Sequence, residues 1–282
     1  MLSGEEILDS FKMYKLLDNL SFKLALFIIL LIIFSTIFAP FLTRYNPVKN
    51  DSRNRLKKPT MNHIMGTDEF GRDIFTRILY GARTSIFIGT VVVLLTTVSG
   101  IIIGVLAGYY SRIDNIIMRV LDALMAFPSI IIAISLAAIW GGGINNVIFA
   151  LTFSYFPKMA RLVRAQVISA KDLEYIESAR AIAATDIIII FRYILKNNIS
   201  PIFIQASLNF ARAILDEAAL SFLGVGIMPP HASLGGMISD ARSFLSAAPW
   251  ITIFPGLVIV ITVFTFNLLG DSIREVLDPR LK

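Results

Sequence analysis

Charged side chains lie inside otherwise apolar stretches, among them Asp122, Arg212, Asp216 and Glu217. Carboxylates do acid–base or metal chemistry when a histidine or another acid joins them at fixed spacing. The chain holds two histidines, His63 and His231, each in a polar stretch with no second ligand at metal-binding spacing. A solvated or loop-packing role is the plain reading of both. Cysteine is absent, which excludes thiolate nucleophiles, thiolate metal sites and disulfides. Asp122, Asp216 and Glu217 are not set out like a hydrolase pair, so the residues point to no enzyme and no metal. Their cost is more informative. An Arg or Asp at the centre of a membrane helix costs about 2.5–3.5 kcal/mol, while Leu, Ile, Phe or Val returns roughly 0.3–0.6. Arg212, Asp216 and Glu217 in one segment cost roughly 8–10 kcal/mol against about 5 returned. That helix cannot face lipid all round, and its charged stripe faces a bundle, a partner subunit or water. Arg212 and Asp216, one turn apart, can form a structural ion pair; lining a translocation path is the alternative.

Two further stretches could recognise something. Gly66-Thr67-Asp68-Glu69-Phe70-Gly71-Arg72-Asp73 has a glycine spacing superficially like a phosphate-binding loop. The required Gly-Lys-Ser/Thr ending is replaced by Gly71-Arg72-Asp73 and no buried strand precedes it, so nucleotide binding is rejected here. The second stretch, Tyr175 to Ile204, is a polar island between apolar runs. It reads as two short helices meeting at a small-residue corner, Ala181 to Ala184. Ser169-Ala170-Lys171-Asp172 has capping-box spacing for the first helix, and Thr185 or Asp186 can cap the second. Such a projection can lie at a membrane surface and offer a ridge to a groove on another protein. An ordinary amphipathic connector is the bland alternative.

The elements that position these residues follow from composition. Of 282 residues 56% are hydrophobic and 16% charged, whereas soluble domains carry about 25% charge. The class is an all-α polytopic membrane protein. The net charge of +6 flanks apolar runs, so lipid head groups are the expected partner and nucleic acid is not. Neither end shows a lipidation signal. Six transmembrane helices are expected: 24–42, 86–110, 116–140 with a kink at Pro128, 144–160, 199–223 and 251–269. The first is longer than the ~7–15-residue core of a signal peptide and is read as retained. A segment 1–23 precedes it, a loop 43–85 follows it, and a tail 271–282 ends the chain. Gly100, Gly104 and Gly108 share one helical face and allow close approach of a neighbour. Six spans put both termini and the polar island on one side. Lys and Arg crowd that side, but the 44–83 loop is also basic, so charge bias favours this side being cytoplasmic only narrowly.

The motifs resemble those of bacterial ATP-binding-cassette importer permeases of the dipeptide, oligopeptide and nickel family. Glu177-Ser178-Ala179 is similar to the family's E-A-A-x-x-x-G coupling segment, with Ala183 where glycine is usual and Lys196 where proline is common. The missing glycine suggests a corner that needs no positive φ, or one slightly reshaped. The 66–73 stretch resembles the family's G-T-D-x-x-G-R-D signature. Met118-Arg119-Val120-Leu121-Asp122, Ala126-Phe127-Pro128 and the run Glu217 to Gly226 match three more segments. So do Ala248-Pro249-Trp250, Phe254-Pro255-Gly256, Phe266 to Asp271, and Leu277-Asp278-Pro279-Arg280. Leu234 departs from a frequent tryptophan, and residues 1–65 match only in general character.

That resemblance implies a type I importer permease fold with a cytoplasmic coupling-helix loop at 169–200 and a permease core at 86–270. It places the chain in the bacterial cytoplasmic (inner) membrane, with the 43–85 loop outside. It also implies a homologous second permease subunit, two ATPase subunits and an extracytoplasmic substrate-binding protein. ATP and Mg would sit on the partners, with no cofactor on this chain. Glu177, Ser178, Ala179, Arg180, Ala183 and Asp186 would couple to the ATPase. Di- or oligopeptides are the expected substrate, with nickel or a metal chelate as the alternative; the wording Ile214 to Leu220 is closer to the peptide branch. An ion-coupled secondary transporter is the rival from another class, but it leaves the polar projection without a role.

Overall fold

The computed structural model describes residues 19–277. Residues 1–18 of the expected segment 1–23 and the last residues of the L-D-P-R match lie outside the described residues. Helix α1 (Leu20–Ile37) starts under an Asn19 cap whose side chain accepts from the Ser21 and Phe22 amides. It stops at Phe38, and the single turn α2 (Ala39–Leu42) follows with Pro40 in its first turn. The expected run 24–42 is therefore broken near its end, where proline offers no amide to the preceding helix.

A folded loop then leads to α3 (Ile74–Tyr109), whose N-cap Asp73 accepts from the Thr76 amide and hydroxyl. Its 36 residues span about 54 Å, well beyond a ~30 Å hydrocarbon layer. Helix α4 (Ser111–Met125) and helix α5 (Ser129–Trp140) meet at an angle of 84°. The expected single span with a kink at Pro128 is thus two helices around an elbow. Proline removes one helical bond and pushes Phe127 out of the helical region, so the break is complete.

Helix α6 (Ile144–Lys171) runs past the expected end at Ala160 and carries Pro157 inside it. Helix α7 (Glu174–Ala181) and the single turn α8 (Asp186–Ile188) form the projection, and α8 continues as a π-helical turn, Ile189–Leu195. A 70° bend leads into α9 (Ile199–Phe222). The short α10 (Leu234–Asp240) and the long α11 (Trp250–Leu277) complete the order.

By length and apolarity α1, α3 and α11 each suffice to cross a membrane, and counting each bent pair as one span gives five. The sixth expected span lies in α6, which carries Lys158, Arg161, Arg164 and Lys171 and falls short on composition.

Helix α6 lies along α3 in the most extensive helix pairing of the chain. Gly100, Gly104 and Gly108 make that approach possible. A methyl group on Gly104 would sit 2.5 Å from the Ala160 carbonyl oxygen and 2.7 Å from Val163 Cβ, and on Gly108 2.7 Å from Val167 Cβ. Helix α9 packs between α3 and α11, and α1 leans on α11. One apolar cluster around Met159, Val163 and Val167 extends into the projection through Ile176, Ile189 and Ile194. Another, around Leu151, Tyr155 and Leu220, joins α6 to α9.

Candidate coupling and translocation site

The projection is rooted by apolar side chains and exposed everywhere else. Along α7, Ile176 and Ala179 are buried against the end of α6, while Glu174, Glu177, Ser178 and Arg180 are exposed. Of the six residues expected to couple, Ala179 therefore belongs to the root; Glu177, Ser178, Arg180, Ala183 and Asp186 lie on the open surface. Spacing alone did not separate the two groups. The expected capping box does not form. Ser169 and Lys171 belong to α6, where the Ser169 hydroxyl donates to the Gln166 carbonyl, and α7 starts after Leu173 with no side-chain cap. Thr185 holds the cap position of α8 but its side chain makes no capping bond. Lysine near a helix C-terminus suits the dipole, which favours carrying α6 through Lys171.

The corner between α7 and α8 corrects another expectation. Ala183 has φ +59°, the left-handed conformation that glycine adopts freely. The Ala184 amide donates to the Ala179 carbonyl and the Ala183 amide to Arg180, closing α7. The corner thus keeps its left-handed turn without glycine, at a cost of about 1–2 kcal/mol. Around it Ile182, Ile187 and Phe191 are 76%, 70% and 64% exposed. An apolar tip rimmed by Glu177, Arg180 and Asp186 is the composition of a protein-docking ridge. The run Ile187 to Ile190 was the available signal for that tip, and its change from exposed Ile187 and Ile188 to buried Ile189 and Ile190 was not legible in an all-isoleucine stretch.

Asp122, Arg212, Asp216 and Glu217 do not form one cluster. Asp122 pairs with Arg161, and Asp114 takes Arg164 through both oxygens at 2.6 Å, so α4 is fastened to α6. The expected pair Arg212–Asp216 is not made. Asp216 instead accepts from the Tyr155 hydroxyl at 2.6 Å, and Arg212 is exposed with no ion pair among the described residues. Glu217 is fully buried and turned the other way. Its carboxylate accepts from Ser85 at 2.6 Å, Ser221 at 2.9 Å and Ser233 at 3.1 Å, tying α3, α9 and the start of α10 together. Neither Tyr155 nor the serines stood out in the sequence, because hydroxyls that satisfy a buried acid carry no spacing of their own.

The 66–73 loop is a folded cap on the end of α3. Asp68 accepts from the Arg72 guanidinium at 2.6 Å and from the Phe70 and Arg72 amides, and Asp73 meets His63 Nδ1 at 2.9 Å. Burial pushes the Glu69 carboxyl above its ordinary range, offset in part by a backbone hydrogen bond. Gly71, at φ +75°, lies so close to the Asp51 carbonyl that no side chain fits. Asp240, lifted by burial and held back by Arg77 and Arg72, closes a cleft of about 360 Å³ beside this cap. Among the described residues no three His, Asp or Glu side chains gather as metal ligands would.

Residues 100–282 match the family described as binding-protein-dependent transport system inner membrane component, and residues 13–59 match the N-terminal TM domain of oligopeptide transport permease C. The dipeptide transport system permease protein DppC of Alkalihalophilus pseudofirmus is 44% identical over 97% of this chain and 90% of its own. The glutathione transport system permease protein GsiD of Pectobacterium atrosepticum is 44% identical over 90% and 85%. Among solved structures, a chain of the inward-facing MetNI methionine ABC transporter superposes with a TM-score of 0.61 at 17% identity, covering 73% of this chain and 98% of that one. The fold is that of an all-helical ABC importer permease.

Proposed function

This chain belongs to the binding-protein-dependent transport system inner membrane component family, and on that premise we propose that it is the peptide-conducting permease subunit of an ATP-driven importer. Membership makes it a multi-pass permease of the inner membrane that is not itself catalytic. It also implies ABC ATPase and binding-protein partners. Peptide is the substrate class best supported, because relatives at 44% identity are named for dipeptides and for glutathione, a tripeptide. Nickel, the alternative of the same family, has no comparable support among these relatives.

Six spans complete the reading, with α6 crossing as the sixth. Arg161 and Arg164 are paired with Asp122 and Asp114 on α4, which lowers the cost of carrying their charge in that helix. The subunit pairs with a homologous second permease, and each permease rests on one of two ATPase subunits that bind the ATP and Mg. This chain binds no cofactor. Closure of the ATPase dimer pushes on the projection between Ser169 and Asn197, and the permease pair rocks between outward-open and inward-open states. The observation carrying this reading is the build of the projection: an apolar root continuous with α6 and an exposed tip with Glu177 and Arg180 one helical turn apart. Force on the tip is therefore delivered to the transmembrane helices. The rival secondary transporter gives that lever nothing to do.

The experiment is substrate-stimulated ATP hydrolysis by the assembled importer carrying Glu177→Lys. Stimulation is expected to fall about tenfold with basal hydrolysis retained; wild-type stimulation in the variant defeats the coupling assignment.

A further inference from the structure

Two cations midway along α6 and α9 make no ion pair among the described residues. These two, Lys158 and Arg212, are both exposed. Helices α6 and α9 run antiparallel, since the Gly143 amide at the start of α6 donates to the Gly226 carbonyl just beyond α9. The bond from Tyr155 to Asp216 then sets the register between them. Lys158 is three residues beyond Tyr155 and Arg212 four residues before Asp216. At 1.5 Å per residue these steps are about 4.5 and 6 Å in the same direction, so the two cations stand at one level.

A second observation is a cavity that Lys158 lines. The elbow between α4 and α5 opens a cavity of about 280 Å³, lined by Phe127, Pro128, Ser154, Pro157 and Lys158 among others. Non-helical backbone at membrane depth is stable only where protein buries it or water fills a cavity beside it. Uncompensated charge at that depth likewise marks a path for substrate. We propose that Lys158 and Arg212 form a station in the translocation path that takes the α-carboxylate of a passing peptide. This rests on the peptide reading above.

The chemistry fits a carrier of varied peptides. The carboxylate is common to all of them, and recognising it ignores the side chains. Asp216, held by Tyr155, keeps the station from being a strong trap, because a site on a conduction path must release what it binds. The same two cations repel a free divalent metal ion.

The native chain contains no cysteine, so single thiols can be placed without background in an importer whose other subunits are made cysteine-free. In Lys158→Cys and Arg212→Cys assemblies of permeases and ATPases, nucleotide-free and without the binding protein, both thiols are expected to react with a membrane-impermeant cationic methanethiosulfonate. Millimolar alanyl-alanine is expected to slow that reaction at least fivefold, and its C-terminal amide is not. In vesicles with the binding protein, the double variant Lys158→Gln/Arg212→Gln is expected to lose about tenfold in dipeptide uptake. The cationic reagent should restore uptake to each cysteine variant and an anionic one should not. Thiols that react in no nucleotide state would show the face sealed by the second permease, and equal protection by amide and free peptide would remove the carboxylate; either overturns the station while wild-type uptake leaves the peptide reading standing. A wild-type importer that carries no dipeptide defeats both.

Discussion

The hydroxyl of Tyr109, the last residue of α3, donates to Asp186 Oδ1 at 2.6 Å. This bond crosses from the longest of the described helices to the first residue of α8 in the projection. A hydrogen bond to a charged acceptor contributes about 1.5–3 kcal/mol when well formed. Tyr109→Phe removes the donor and leaves the ring. Stimulated ATP hydrolysis and uptake are expected to drop together about fivefold, with expression unchanged. If stimulated turnover by the purified assembly is indistinguishable from wild type, the bond has no part in transmission.

Ala183 holds a conformation its methyl group opposes, with φ +59°. Replacing it with glycine relieves about 1 kcal/mol of that strain, less what glycine adds to the freedom of the unfolded chain. Ala183→Gly is therefore expected to slow amide exchange at Ala183 and Ala184, whereas Ala183→Val speeds it. Hydrogen exchange read by mass spectrometry over the projection decides the matter; faster exchange in the glycine variant contradicts a left-handed corner.

Glu217 collects three serine hydroxyls in a site with no exposed surface. Glu217→Leu orphans those donors and should destabilise the bundle by roughly 2–4 kcal/mol. Glu217→Gln keeps the shape and most of the bonds and should cost less than half as much. Thermal inactivation of the detergent-solubilised protein ranks the three; equal midpoints for leucine and wild type would mean that the carboxylate holds nothing together.

The apolar runs disclosed the helical class, and the glycine spacing at Gly100, Gly104 and Gly108 disclosed a face for close packing. What stayed hidden was set by tertiary partners. Asp216 and Arg212 look like a pair because they are one turn apart on α9, yet Tyr155 on α6 reaches the carboxylate first. Pro128 signalled a disturbance, but whether a proline bends a helix or ends it depends on what supports the next turn. The capping pattern at Ser169 was overruled because α6 had enough burial along Val163, Val167 and Ala170 to continue.

Helix α3 turns small angles into large strokes. It is anchored at one end by the folded loop around Asp73 and joined at the other to α8 by Tyr109, with α6 pressed along its glycine face. A stiff rod of about 54 Å tilted by about 10° displaces its far tip by roughly 9 Å. The tip that moves is the Tyr109 end, so a swing of a few degrees about the loop around Asp73 becomes, beside the projection, a shift wider than a peptide backbone.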